Sequence, residues 1–449
     1  MSAFAGERVV VIGLGVAGRA VATVLAEEGA TVRVSEARAD AEGVRELGSR
    51  GVEILCGGHE PEHLEGATAV VPSPGVPEHA PVLGWARSRG IPIWSELDVG
   101  ARLCTVPFVA ITGTNGKSTT TELVARMMRE AGLDAIACGN IGHPFCVAAR
   151  EGHEALAVEA SSFQLRFHRW VHPRVSVLLN VAPDHLDWHG SVGAYAQAKA
   201  RIFELQAGDD VHVGNADDPD AAAISRRAPC RRTWFRRGAP AAGEVGIVEG
   251  EIVARGSDGA EWALGRPKLE GAGFASDCAA AASTAIAFGL PKDAVARGIA
   301  SMEPLPHRGE EVARVDGVRF LDDSKATNIH AALHALEGRR DVVLIAGGVA
   351  KGVDLGPLAS AVGALAAVVA IGQAAEEIVG LFRGRVPVVT CASIEEAVRE
   401  AYRLAPAEGS VLLAPACASW DMFHDYAERG ERFASAARAL AREVARVDP

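Results

Sequence analysis

Thr112-Gly113-Thr114-Asn115-Gly116-Lys117-Ser118-Thr119 follows the apolar run Val106-Pro107-Phe108-Val109-Ala110-Ile111 and precedes the helical pattern Thr121-Glu122-Leu123-Val124-Ala125-Arg126-Met127-Met128. A strand, a glycine-rich turn and a helix in that order build a phosphate cradle, because the turn amides and the positive helix end converge on an anion. Within it Lys117 is suited to reach the outer phosphates of ATP, and the Ser118 hydroxyl to ligate magnesium. The loop is shorter than the general P-loop spacing, since Ile111 stands five residues before Gly116, where that pattern has glycine. The expectation is a nucleoside triphosphate site at a strand edge of an α/β fold.

Around this loop the chain has 449 residues, which suggests about three domains. Hydrophobic residues make up 49% and charged ones 23%, an ordinary globular balance with ample material to bury. The formal net charge of -12 works against a nucleic-acid role. The dense basic cluster Arg226-Arg227, Arg231-Arg232 and Arg236-Arg237 reads as a solvated face or loop. Eight cysteines without a C-x-x-C pair read as thiols of a reducing compartment rather than a disulfide framework or zinc site. The amino terminus lacks the charged-then-apolar pattern of a signal peptide, and no apolar run reaches membrane-spanning length. A cytoplasmic protein with no membrane partner is expected.

Before the loop, Val9-Val10-Val11-Ile12 leads into Gly13-Leu14-Gly15-Val16-Ala17-Gly18 and a helical stretch, and then Thr31-Val32-Arg33-Val34 reads as a strand. This is a βαβ opening with a G-x-G-x-x-G turn and Glu36 where a ribose-binding carboxylate would sit, so an NAD site is one reading. Thr68-Ala69-Val70-Val71 ends at the turn-rich Pro72-Ser73-Pro74-Gly75, and Ile91-Pro92-Ile93-Trp94 closes this first region near residue 96. After the loop, Ala155-Leu156-Ala157-Val158 and Val175-Ser176-Val177-Leu178-Leu179 suit a mostly parallel sheet with its site at one edge. Short segments between about residues 230 and 268 predict a small antiparallel insertion. Beyond Glu303-Pro304-Leu305-Pro306, three more strand-like runs alternate with helical stretches, indicating another doubly wound sheet.

Three side chains downstream of the loop carry candidate chemistry. Glu159 follows the strand Ala155 to Val158, where a carboxylate could ligate magnesium. His185 lies just past another strand, and with His189 it has a zinc-like spacing but no third ligand pattern. Lys199, in Ala198-Lys199-Ala200-Arg201-Ile202, reads on its own as a helix-surface lysine.

The shortened loop G-T-N-G-K-S-T resembles that of the Mur ligases and their folylpolyglutamate synthetase relatives. The Mur ligases also carry Asn-x-x-x-Asp-His followed by Lys-x-Arg-Ile at the separation seen here from Asn180 to Ile202. The likeness continues through Leu305-Pro306-His307-Arg308-Gly309-Glu310, Asp322-Asp323-Ser324-Lys325-Ala326-Thr327-Asn328, the Gly347-to-Asp354 run and Pro415-Ala416-Cys417-Ala418-Ser419-Trp420-Asp421-Met422-Phe423. Within the family these runs look most like the branch that adds D-glutamate.

The resemblance implies an α/β chain of three domains. They are a Rossmann-like domain for the UDP substrate over 1–96, a central P-loop ATPase-like domain with a mostly parallel sheet over 97–303, and a Rossmann-like amino-acid domain over 304–449. It implies an ATP-dependent ligase joining D-glutamate to UDP-N-acetylmuramoyl-L-alanine through an acyl phosphate and a tetrahedral intermediate. Such chemistry is mainly positioning and charge neutralisation, so two magnesium ions are expected.

By the same resemblance Gly113, Thr114, Asn115, Gly116, Lys117, Ser118 and Thr119 hold the phosphates. Ser118, Glu159, His185 and Lys199 organise the metals, and Lys199 carries a carbamate derived from CO2. A carbamate has a physical motive there, because a bare ammonium is repelled by magnesium whereas negative oxygens position it. Lys117, His185 and Lys199 are the implied catalytic groups, and Asp277, Arg308 and Asp323 the further nucleotide contacts. Asn140, Ser161 and Gln164 would face the muramoyl-peptide end of the substrate, with Gly15, Val16, Ala17, Arg38, Ser73, Pro74 and Gly75 around its uridine diphosphate. Lys325, Thr327, Lys351, Ser419 and Tyr426 would bind D-glutamate, whose two carboxylates need cationic and hydroxyl partners.

The chain departs from the family pattern at Ala17 and Ala37, where threonine is common, at Gly273-Phe274 before Asp277, and at Tyr426, where phenylalanine is common. Domain closure and a monomer are expected. The competing readings are a folylpolyglutamate synthetase-like ligase and an NAD-binding oxidoreductase or sensor built on Gly13 to Gly18.

Overall fold

Hydrophobic runs flanked by glycine turns become mostly parallel strands along the chain, which we describe from a computed structural model over residues 2–268, 272–303 and 305–447. The first sheet contains β1 (Arg8–Ile12), β2 (Thr31–Glu36), β3 (Glu53–Cys56) and β4 (Ala69–Pro72) in the order β3-β2-β1-β4, all parallel. The run Ile91 to Trp94 makes only a bridge from Ile93 to Val70. Pro92 has no N–H to extend a ladder and contributes its oxygen alone, to the amide of Val70.

The second sheet gathers β5 (Phe108–Thr112), β6 (Ala135–Gly139), β7 (Ala155–Glu159), β8 (Val175–Leu178), β9 (Val211–Asn215), β10 (Arg231–Arg237), β11 (Val245–Val248), β12 (Glu251–Arg255) and β13 (Glu261–Gly265). Its order is β13-β12-β11-β10-β9-β8-β5-β7-β6. Only the β11-β12 and β12-β13 pairs are antiparallel, the insertion foreseen from the short segments. The arginine-rich stretch is the strand β10, with Arg231, Arg232 and Arg237 exposed and Phe235 buried. In β5, Phe108, Val109, Ala110 and Ile111 are all buried, and each large apolar side chain contributes about 1.5–3 kcal/mol. That anchors the base of the Thr112-to-Thr119 loop in rigid structure.

The third sheet holds β14 (Glu310–Val315), β15 (Val318–Asp322), β16 (Val342–Gly347), β17 (Leu365–Ile371), β18 (Val388–Cys391) and β19 (Ser410–Leu413) in the order β14-β15-β19-β16-β17-β18. Only β14 runs antiparallel to its neighbour. Helices cover both faces, as buried parallel strands require.

The described residues divide into two compact units, one of residues 2–181, 188–268 and 276–302 and the other of residues 182–187, 272–275, 303 and 305–447. The first two sheets fall in one unit, where Val99 and Cys146 pack in the core cluster that holds Val9, Val11 and Val34 of the first sheet and Arg150 pairs with Glu27. Glu96 opens the helix Glu96–Leu103 and accepts from the Cys146 amide at 2.8 Å and from Gln164 Nε2 at 2.9 Å. Asp98, on the same helix, accepts from the Ser95, Arg169 and Trp170 amides at 2.8, 2.6 and 2.9 Å. Burial pushes both carboxyls above their ordinary range, against the pull of those hydrogen bonds. Pro304, where the third region was expected to begin, lies outside the described residues.

Candidate active site

The loop after β5 closes over its own backbone. Gly116 adopts φ +82, and a Cβ there would lie 2.1 Å from an Asp277 carboxylate oxygen, so only glycine fits this approach. The helix Lys117–Glu130 starts at once, so the positive end of its dipole faces the loop. Asn180, at the end of the neighbouring β8, holds the turn from the side: its Oδ1 accepts from the Thr114 and Asn115 amides at 3.0 and 2.9 Å. Lys117 Nζ donates to the Gly113 and Thr114 oxygens at 3.0 and 2.9 Å. Ser118 and Thr119 are buried at the helix start.

Two more charged side chains reach this edge. Lys199 is 1% exposed, and its Nζ donates to Gly113 O at 2.6 Å and sits 4.4 Å from the Tyr195 ring centre. Tyr195 in turn donates its hydroxyl to Thr114 Oγ1 at 3.2 Å. Glu159, at the end of β7, is 2% exposed; Oε1 accepts from Asn140 Nδ2 at 2.9 Å, while Oε2 is buried with no hydrogen-bond partner. An orphaned carboxylate oxygen beside a phosphate cradle fits a divalent cation, which would replace the missing donor. The same edge fits a polyphosphate through its loop amides, helix end and Lys117. Ser161 and Gln164 form a capping box on the helix Ser162–Phe167, and Gln164 continues to Glu96. His189 donates to or accepts from Ser162 Oγ at 3.0 Å and stacks on Phe163, a packing arrangement.

At the first sheet the glycine turn is equally constrained. A Cβ on Gly18 would come 2.1 Å from Gly13 O and 2.5 Å from Ser73 Oγ, and Ser73 Oγ itself donates to Gly13 O at 3.0 Å. Glu36 spends one carboxylate oxygen on the Leu14 amide, at 2.6 Å, and the other on the Arg38 amide and Nε, at 2.9 and 3.3 Å. Burial alone would raise this carboxyl, but those donors hold it below its ordinary range. Glu36 therefore serves the loop backbone, which weakens the ribose-binding role an NAD site would ask of it. Gly15 caps the helix Val16–Glu27, Val16 is 65% exposed, and Ala17, Pro74 and Gly75 add no charged group to this edge.

In the other unit the loops after β15, β16 and β19 emerge at one edge, because those strands are adjacent and parallel. Lys325 Nζ lies 3.6 Å from the Tyr426 ring centre. Ala416 N donates to Ala326 O at 2.9 Å, and Val349 and Ala418 exchange two main-chain hydrogen bonds, so the runs carrying Thr327, Lys351 and Ser419 are tied together. Lys351 Nζ pairs with Asp184 Oδ1 at 2.5 Å, both side chains being buried, and Asn328 Nδ2 adds a bond to Asp184 Oδ2 at 3.1 Å. Burial would raise the Asp184 carboxyl, but Lys351 and then His185 hold it below its ordinary range. His185 and Lys351 both have φ above +50, a strained setting for non-glycine residues that is common at working sites. Asp323 is pushed up to about 7 by burial, with Arg308 opposing and Asp322 reinforcing the shift.

Asp184, Asn180 and Tyr195 were not singled out in the sequence. Asn180 and Asp184 stand at the Asn and Asp of the Asn-x-x-x-Asp-His run, which was their only signal.

A short glycine loop at the carboxyl edge of a mostly parallel sheet, closed by a buried lysine and a carboxylate with a free oxygen, defines a nucleotide-phosphate-binding α/β protein. Residues 7–95 match the Mur ligase MurD-like N-terminal domain, 111–251 the Mur ligase middle domain, and 307–417 the Mur ligase glutamate ligase domain. The chain belongs to the Mur ligase family. It is 38% identical to the UDP-N-acetylmuramoylalanine--D-glutamate ligase of Syntrophotalea carbinolica, covering 98% of this chain and 99% of that one. It is 41% identical to the enzyme of the same name from Frankia casuarinae, covering 97% and 95%. Among solved structures, MurF ligase of Thermotoga maritima in complex with ADP shares the fold at a TM-score of 0.61 and 16% identity, covering 98% of this chain and 96% of that one.

Proposed function

We propose that this chain is an ATP-dependent amide ligase that adds D-glutamate to UDP-N-acetylmuramoyl-L-alanine, releasing ADP and phosphate in peptidoglycan precursor synthesis. The observation that carries the reading is the convergence of the phosphate loop, Glu159 and Lys199 on one sheet edge, in a chain that matches D-glutamate ligases from end to end.

In the reaction, an oxygen of the alanyl carboxylate attacks the γ-phosphorus and ADP leaves, giving an acyl phosphate. The amine of D-glutamate then attacks the acyl carbon, the tetrahedral intermediate loses phosphate, and the amine gives up a proton. We assign Gly113 to Thr119 to the ATP phosphates, with Lys117 neutralising charge that grows on them. Ser118, Glu159 and His185 are assigned to magnesium, which supplies further charge neutralisation when bound. Lys199 is assigned as the carbamylated residue: its ammonium gives up one proton, the neutral Nζ bonds to the carbon of CO2 and loses a second proton, leaving oxygens suited to the metal. Its burial against Gly113 O supports a position next to the phosphates.

Asp277, Arg308 and Asp323 are assigned to the nucleotide. Gly15, Val16, Ala17, Arg38, Ser73, Pro74 and Gly75 are assigned to the uridine diphosphate, and Asn140, Ser161 and Gln164 to the muramoyl-peptide end. Lys325, Thr327, Lys351, Ser419 and Tyr426 are assigned to D-glutamate, supported by their gathering on connected loops. Domains are taken as 1–96, 97–303 and 304–449. No helix among the described residues is long and apolar enough to cross a membrane; with nucleotide-linked substrates, we take the enzyme to work in the cytoplasm as a monomer. The test is ATP turnover by the purified chain, which should require both carbohydrate-linked acceptor and D-glutamate.

A further inference from the structure

Lys325 and Thr327 ride on the loop after β15, and Ser419 on the loop after β19, so their spacing depends on what fixes one loop against the other. A main-chain bond from Ala416 to Ala326 supplies one tie. Arg429 supplies three more from the opening of the helix Tyr426–Val447. Its side chain is fully buried, with Nε donating to Ser324 Oγ at 2.9 Å, Nη2 to Ser324 O at 2.8 Å and Nη1 to Cys417 O at 3.1 Å. Ser324 Oγ completes the network by donating to Tyr426 O at 2.7 Å. One guanidinium thus joins both loops, and its hydroxyl acceptor joins the first loop to the residue whose ring meets Lys325.

The choice of side chain is informative. The acceptors are a hydroxyl and two main-chain oxygens rather than a carboxylate, so a buried cation is held without the cheapest compensation. Burial lowers it to about 10, which leaves it charged at neutral pH. What a planar guanidinium offers that an apolar side chain lacks is a rigid fork of donors with fixed directions.

We propose that Arg429 is a positioning residue for amino-acid binding, its guanidinium setting the separation of the Ser324-to-Thr327 and Cys417-to-Ser419 runs and so of the groups that grip the two carboxylates of the incoming amino acid. This rests on the reading that those runs bind D-glutamate.

The experiment measures kcat and each KM for the full-length enzyme and for Arg429→Met, Arg429→Lys, Ser324→Ala and Lys325→Ala. Arg429→Met should raise the KM for D-glutamate roughly tenfold or more, with the KM values for ATP and the muramoyl substrate unchanged, and Arg429→Lys should recover part of the loss. Ser324→Ala should raise the same KM to a smaller extent, and it decides the matter if Arg429→Met yields no folded protein. Equal KM values in folded Arg429→Met, or in Ser324→Ala where it must decide, with only the active fraction reduced, would overturn the proposal. If Lys325→Ala also leaves the KM for D-glutamate untouched, the failure belongs to the underlying assignment of these loops instead.

Discussion

Lys199 donates to the main-chain oxygen of Gly113 at 2.6 Å across 86 residues of sequence. A residue that reads as an ordinary helix-surface lysine is 1% exposed and touches the phosphate loop. Exchanging it for alanine should lower kcat at least ~100-fold, the scale of losing one preorganised electrostatic group. Depleting CO2 should slow the wild type and bicarbonate should restore it, with Lys199→Ala responding to neither. A Lys199→Ala enzyme of full activity would remove the carbamate from the account.

Glu159 holds one carboxylate oxygen buried without a donor. A cation there satisfies it, so Glu159→Gln should raise the magnesium concentration for half-maximal activity by about tenfold. In metal-free buffer the same change removes an uncompensated charge and should leave the melting temperature equal or higher. An unaltered magnesium titration curve would argue for a purely structural carboxylate.

The Asp184–Lys351 pair is buried on both sides. Lys351→Met leaves Asp184 with Asn328 as its side-chain donor and should cost roughly 3–5 kcal/mol in urea denaturation followed by a probe in that unit. Adding Asp184→Asn should recover part of this. A loss below about 1 kcal/mol would mean that the pair is well solvated.

Asp323 gives a pH signature. Its folded carboxyl is raised from 3.8 to about 7, so between those values the unfolded chain is ionised while the native one retains the proton. The native state then binds more protons, and the Asp323 contribution falls as pH rises through this window, levelling off above it. Asp323→Asn removes that slope, so wild type should lose stability relative to the variant between pH 5 and about 7. Parallel stability curves for the two proteins would contradict the raised Asp323 carboxyl.

Much of this was legible because local patterns and their chemistry coincide. Thr112 to Thr119 announces its strand, turn and helix, and Glu159 follows an unambiguous apolar run. Long-range pairings were not legible in the same way. Nothing near Lys351 in the chain names Asp184, and nothing near Glu96 names Gln164, since each pair meets only when sheets and loops are assembled. Arg429 had a faint signal, an arginine four residues before the core residue Phe433 on the apolar stripe of an amphipathic helix. Strand β10 was read as a solvated face or loop because its arginines mask the alternation that places Phe235 inside.

The most direct measurement is phosphate release from ATP by the purified chain, with UDP-N-acetylmuramoyl-L-alanine and a panel of amino acids. Turnover that requires both that substrate and D-glutamate, and yields the amide product in equal amount, is the expected result. Turnover with L-lysine or diaminopimelate in place of D-glutamate, or with a folate acceptor in place of the nucleotide-linked sugar, would contradict the account.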